Sequence, residues 1–277
     1  MTASAFGFSA MGVLVKVASS RMPLGEIVFA RAVITLGISL AMVRRAGLSP
    51  WAYPRMPLVF RGLLGFGGLA GYYIALDRLP LADATVLQNA TPLLTGVLAW
   101  WLLGESIGWS TAIAIACGIA GVALIARPSG DVLDPTGVLG ALGGVLCSSF
   151  SYVTVRRLSR TVHPLVIVLY FPLIATPLAL PWMLASFVVP GPVDLLLLVA
   201  LGAATQTGQV FLTMALAIEN AGKATSLNYM QVAFAILWQL AVFGEFPTAW
   251  TLAGASLILG GTLLVARVRG ASAPRPS

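Results

Sequence analysis

The chain has 277 residues, of which 58% are hydrophobic and only 9% charged, and its net charge is +7. Soluble domains carry about 25% charged residues, so this composition, with a mean hydropathy of +0.95, excludes a soluble enzyme. The basic residues stand between apolar runs and not on one polar face, which excludes a nucleic-acid partner and makes them signals of membrane topology.

Apolar runs recur along the whole chain, each about 18–22 residues, long enough to cross a hydrocarbon core roughly 30 Å thick. The expected spans are residues 2–20, 24–43, 57–76, 81–103, 107–126, 136–155, 164–185, 193–217, 222–243 and 248–267. The start, MTASAFGFSA, lacks a basic n-region and reads as a first spanning helix, not a cleaved signal. The connections are short and carry Pro, Gly or charge, which leaves no soluble domain. The fold class is therefore an all-α polytopic membrane protein with the bilayer as its partner. Ten spans put both termini on one side. Eleven of the 16 basic residues, Arg44, Arg45, Arg55, Arg61, Arg156, Arg157 and Arg160 among them, then fall on that side, which the positive-inside rule makes the cytoplasm. Residues 268–277 form a short cytoplasmic tail. The preference for arginine over lysine points to a bacterial plasma (inner) membrane.

A shift of 140 residues lays the chain on itself without gaps. Ala75-Leu76 meets Ala215-Leu216, Ala84-Thr85 meets Ala224-Thr225, Gly104-Glu105 meets Gly244-Glu245, and Ala126-Arg127 meets Ala266-Arg267. The units are residues 1–127 and 135–267. Each holds five spans, an odd number, so the second copy must enter the membrane upside down. Inverted five-helix repeats are a transporter device: each half can take the conformation its twin already shows, and the exchange exposes a central site to the other side.

PLGEIVFARAVITL, RGLLGFGGLAGYYIALDRLPLADATVLQNATPLLTGVLAWWLLGES and GIAGVALIARP in the first half resemble one EamA-type repeat, and KATSLNYMQVAFAILWQLAVFGEFPTAWTLAGASLILGGTLLVAR in the second half resembles another. Two such repeats resemble the drug/metabolite transporter superfamily. The resemblance implies ten helices as two inverted repeats and both ends in the cytoplasm. It also implies alternating access around a central cavity, and export of small metabolites, amino acids included.

Polar residues deep in a membrane face the protein interior or water. The fourth span carries Gln88 and Thr91, the ninth Asn228, Gln231 and Trp238. At the offset of 140, Gln88 meets Asn228 and Thr91 meets Gln231. Helical spacing puts each set on one face. These faces are either a substrate cavity or interhelical hydrogen bonds, and Trp238 is either cavity wall or core. Tyr72, Tyr152, Gln206 and Gln209 are further candidates for substrate binding. An aromatic, amide-rich cavity suits a zwitterionic or planar polar ligand.

Arg31 lies within the second span, with Glu26 the nearest carboxylate, five residues away. The two are a structural pair, or else a ligand or proton site. Glu105 and Glu245 each precede the next helix and are placed to cap its positive end. Gly67 with Gly71, and Gly140 with Gly144, allow close helix contact within a monomer or between copies in a homodimer. No GxxxxGK[ST] motif is present, which excludes ATP-driven transport. With one histidine and two cysteines in apolar runs (Cys117 and Cys147) no metal site, catalytic set or cofactor is legible. A secondary carrier, with exporter as its direction, is weighed against an uncoupled channel or facilitative permease and against an intramembrane enzyme. His163 in a loop and the absence of paired buried Asp speak against the enzyme.

Overall fold

In the computed structural model, residues 1–79, 87–106, 108–126, 134–244 and 249–271 are described, and no strand occurs among them. The helices are α1 (Thr2–Ser19), α2 (Leu24–Arg45), α3 (Arg55–Arg78), α4 (Thr91–Leu103), α5 (Trp109–Ala126), α6 (Pro135–Leu158), α7 (Pro164–Leu184), α8 (Pro192–Ile218), α9 (Ala221–Ser226), α10 (Met230–Phe243) and α11 (Ala249–Ala271). Among the described residues six of them, α1, α2, α3, α6, α7 and α8, are long and apolar enough to cross a membrane. The outward faces of α3, α6, α8, α10 and α11 carry exposed Phe60, Leu63, Leu139, Leu196, Leu237 and Leu263. In water such a surface would drive association; against lipid it is solvated.

The helix ends follow from their residues. Pro135, Pro164 and Pro192 stand in first turns, where the missing N–H costs nothing. Asp134 caps α6 by accepting from Gly137 N at 2.8 Å, and His163 caps α7 by accepting from Leu165 N at 3.3 Å. Gly104 and Gly244 end α4 and α10 in the left-handed region, at φ 67° and 65°.

The two halves make reciprocal contacts. A Cβ on Gly62 would lie 2.7 Å from Ile174, and one on Gly202 would lie 2.4 Å from Ile34. Likewise Gly68 lies against Ser148 and Gly208 against Phe8. Every residue in these pairs stands 140 positions from its counterpart. At the helix level, α3 packs along α6 as α8 packs along α1, and α4 against α6 as α10 against α1; α2 meets α7, and α5 meets α11. The largest buried cluster joins Leu58, Leu158, Val162, Leu216 and Ala221, and it marks one end of the bundle, where Arg156 also sits. The opposite end is held by Ala18, Met22, Ile27 and Leu198, and by the Arg21–Asp194 ion pair at 2.5 Å.

Two expected spans are not continuous helices. The fourth has helical residues 87–88, a turn at 89–90, and then α4. Pro92 has no N–H to give the carbonyl of Gln88, and the Thr91 hydroxyl donates to it instead at 2.7 Å. The ninth is divided between α9 and α10 by a 3₁₀ turn at Leu227–Tyr229. At the offset of 140, this turn falls on residues 87–89. Both helices break at the same place.

Candidate functional site

The two breaks face one cavity of about 470 Å³ at the centre of the bundle. Its walls come from both halves, through α1, α2, α3, α4, α6, α7, α8, α10 and the turn between α9 and α10. Tyr229 Oη donates to the carbonyl of Asn89 at 2.8 Å and ties one break to the other. A break frees main-chain groups from helical pairing, which is tolerated at membrane depth only where protein or water meets them.

Of the residues expected to bind substrate, the cavity brings together Gln88, Thr91, Asn228, Gln231, Tyr72, Tyr152 and Gln209. Gln88 Oε1 and Asn228 Oδ1, at repeat-equivalent positions, are buried and without a hydrogen-bond partner. Two expected residues lie elsewhere. Gln206 is buried between α8 and α2, where its Nε2 donates to Ser39 Oγ at 2.9 Å. Trp238 turns to α1: its Nε1 donates to Ser9 Oγ at 3.2 Å, and its ring lies 5.6 Å from that of Phe6. Both serve helix packing in this structure.

Glu26 and Arg31 form no ion pair. The Glu26 carboxylate accepts from Val188 N at 3.3 Å, beyond the end of α7. Arg31 lines the cavity, with Nη1 3.6 Å from Met11 S. Five helical residues turn through about 500°, so the two side chains leave α2 in different directions.

Among the described residues, the partners of Glu105 belong to other helices than the one that follows it. Glu105 accepts from Ala221 N, the first residue of α9, at 2.8 Å, and pairs with Arg156 Nε at 2.7 Å. Arg156 Nη1 in turn donates to the carbonyls of Leu216 and Ala217 at 3.1 and 3.0 Å. One carboxylate and one guanidinium thus join α4, α6, the end of α8 and the start of α9. Glu245 lies outside the described residues.

Arg61 was read from sequence as a topology charge, but it is 2% exposed and lines the cavity. Its Cζ lies over the Phe171 ring at 5.1 Å, and Nη2 donates to Gln209 Oε1 at 3.4 Å. Nε and Nη1 have no partner. The signal that could have found it is its depth, four residues beyond the expected span start at 57.

A membrane-spanning bundle of paired halves around a central cavity with polar groups in its wall is an architecture that suits a membrane transporter. The chain belongs to the EamA-like transporter family, which it matches at residues 1–127 and 135–267, within the drug/metabolite transporter superfamily. It is 33% identical over 268 residues to the pseudopaline exporter CntI of Pseudomonas aeruginosa (strain UCBPP-PA14), covering 96% of this chain and 94% of that one. It is 28% identical to human solute carrier family 35 member G1, over 80% of this chain and 65% of that one. It is 26% identical to the S-adenosylmethionine uptake transporter of Rickettsia prowazekii (strain Madrid E), over 75% of this chain and 70% of that one. A solved crystal structure shares the fold with a TM-score of 0.81 at 22% identity, covering 98% of this chain and 99% of that one. The protein is a multi-pass membrane transporter and not an enzyme.

Proposed function

We propose that the chain is a secondary carrier that exports small polar metabolites, amino acids among them, by alternating access around the central cavity. The observation that carries this reading is the pair of helix breaks lined by Gln88, Thr91, Asn228 and Gln231, two residues from each half at equivalent positions. Reciprocal glycine contacts support two interchangeable halves, and an odd number of spans in each makes the repeats inverted. In this reading the protein lies in the plasma membrane of a bacterium, and the end with the Glu105–Arg156 pair is cytoplasmic, as are both termini. In this reading the pair holds α4, α6, α8 and α9 together at the cytoplasmic end. The export direction rests on likeness to an exporter over nearly the whole chain.

The test is uptake into proteoliposomes of a labelled panel of anionic, neutral and cationic amino acids, nucleosides and cationic drugs, with wild type and Asn228→Ala. Saturable uptake that Asn228→Ala lowers is the expected result. Non-saturable flux would make the protein a channel, and saturable flux indifferent to the substitution would move the site away from the cavity.

A further inference from the structure

The cavity holds two guanidinium groups and, among the described residues that line it, no carboxylate. Arg61 is 2% exposed and Arg31 7%. Arginine does not shed its proton in proteins, and an unpaired charge taken out of water is among the costliest features a membrane protein can carry. Arg61 has a partial answer from the protein, the Phe171 ring face and the Gln209 amide oxygen, both neutral. Its Nε and Nη1 are left over. Nε–H lies on the edge it shares with Nη2 and Nη1 on the other edge, so the two are separate unmet donors of one cation. Across the cavity, Gln88 Oε1 and Asn228 Oδ1 are acceptors without donors.

Resting on the carrier reading above, we propose that the transported molecule is a net anion with two or more carboxylates and at least one N–H group. Arg61 pairs with one carboxylate. Arg31 neutralises a second. The amide oxygens of Gln88 and Asn228 take the N–H donors. Each demand comes from an unmet group in the wall, and one molecule meets them together. A cationic or uncharged metabolite would leave Arg61 unpaired and add its own desolvation. An inorganic anion would answer Arg61 but not the amides.

The experiment uses the full-length protein, first in detergent and then in proteoliposomes, at fixed ionic strength. The probes are L-glutamate, glutarate, citrate, L-glutamine, L-glutamate dimethyl ester, L-arginine, phosphate and chloride. The first readout is the melting temperature of the wild type. The carboxylates should raise it saturably, L-glutamate above glutarate, while its dimethyl ester and L-glutamine have little effect. In Arg61→Gln, shown by gel filtration to be monodisperse, the apparent affinity for carboxylates should fall about tenfold or more, as the loss of a charge-assisted pair implies. Arg61→Lys, which keeps the charge without the fork, should recover part of it. Phosphate and chloride acting as well as glutamate would overturn the need for N–H donors and leave a plain anion site. The inference also fails if the ester is as effective as the acid, or if Arg61→Gln binds carboxylates as wild type does. Saturable flux of a neutral or cationic probe with none for carboxylates would overturn it while the carrier reading stands. No saturable flux for any probe would overturn both.

Discussion

Tyr229 and Asn89 hold the same place in the two halves, 140 residues apart, and the hydroxyl of one donates to the main-chain carbonyl of the other at 2.8 Å. The pseudo-symmetry of the fold thus passes through a real contact, made where both spans break. The tyrosine ring is pressed against α5, where a Cβ on Gly118 would come within 2.3 Å of it. Tyr229→Phe keeps the ring and deletes the bond. The expected cost in stability is about 1 kcal/mol, the usual worth of one hydrogen bond and above the membrane average. The expected functional effect is larger: transport should slow several-fold, because the relation between the two breaks is no longer fixed. Thermal unfolding and proteoliposome flux measured together decide this. Unchanged flux would make the contact a packing detail.

The Glu105–Arg156 pair is 2.7 Å long, with side chains 9% and 14% exposed. Breaking a buried pair from one side leaves a charge without its partner, which costs more than removing both. Glu105→Gln and Arg156→Gln should each destabilise by roughly 3 kcal/mol. The double variant should lose clearly less than the sum. Arg156→Gln should be the more harmful, since it also abandons the carbonyls of Leu216 and Ala217. Additive losses in thermal unfolding would mean that the two side chains act independently.

The cavity divides the polar residues of the membrane interior into two groups with different expected phenotypes. Gln231→Ala changes the wall and should weaken apparent substrate affinity about tenfold, the scale of one lost hydrogen bond in a dry site. Gln206→Leu and Trp238→Phe alter contacts of α8 with α2 and of α10 with α1. They should change stability by about 1 kcal/mol and leave apparent affinity within a factor of two or so. Concentration dependence of uptake separates the groups, and a large affinity change in Gln206→Leu would place it on the transport path.

Much of the architecture is legible in the residues because hydropathy, proline and the offset of 140 each act locally. Pro92 explains the break in the fourth span by itself. The break at Leu227–Tyr229 contains no proline and is legible only through its twin. Helix rotation is harder to read. Gln206 and Gln209 are three residues apart, which on a helix is a difference of about 60°. That angle sends one to Ser39 and the other to Arg61. Phase within a nearly all-apolar helix is set by its neighbours, and those neighbours are distant in sequence. Arg61 was hidden for another reason: a positive charge near the start of a span serves equally as a topology signal, and only the packed structure shows that it points inward.

The glycines of α3 are the last case, and they separate close approach from mere composition. A Cβ on Gly71 would lie 2.6 Å from both the carbonyl oxygen of Gly140 and the Cα of Gly144, main-chain atoms that cannot swing aside. Gly71→Ala therefore has to push α3 away from α6, at an expected cost of about 1–3 kcal/mol. Because α3 carries Arg61 and Tyr72 into the cavity, the same substitution should also weaken substrate affinity. Gly143, on the same partner helix, has no atom within 4 Å of its would-be Cβ. Gly143→Ala should be neutral or stabilise by up to about 1 kcal/mol, since alanine is the better helix former. Melting temperatures of the two variants give opposite signs if the α3–α6 crossing is as close as the structure has it. A harmless Gly71→Ala would require a wider crossing and a differently shaped cavity.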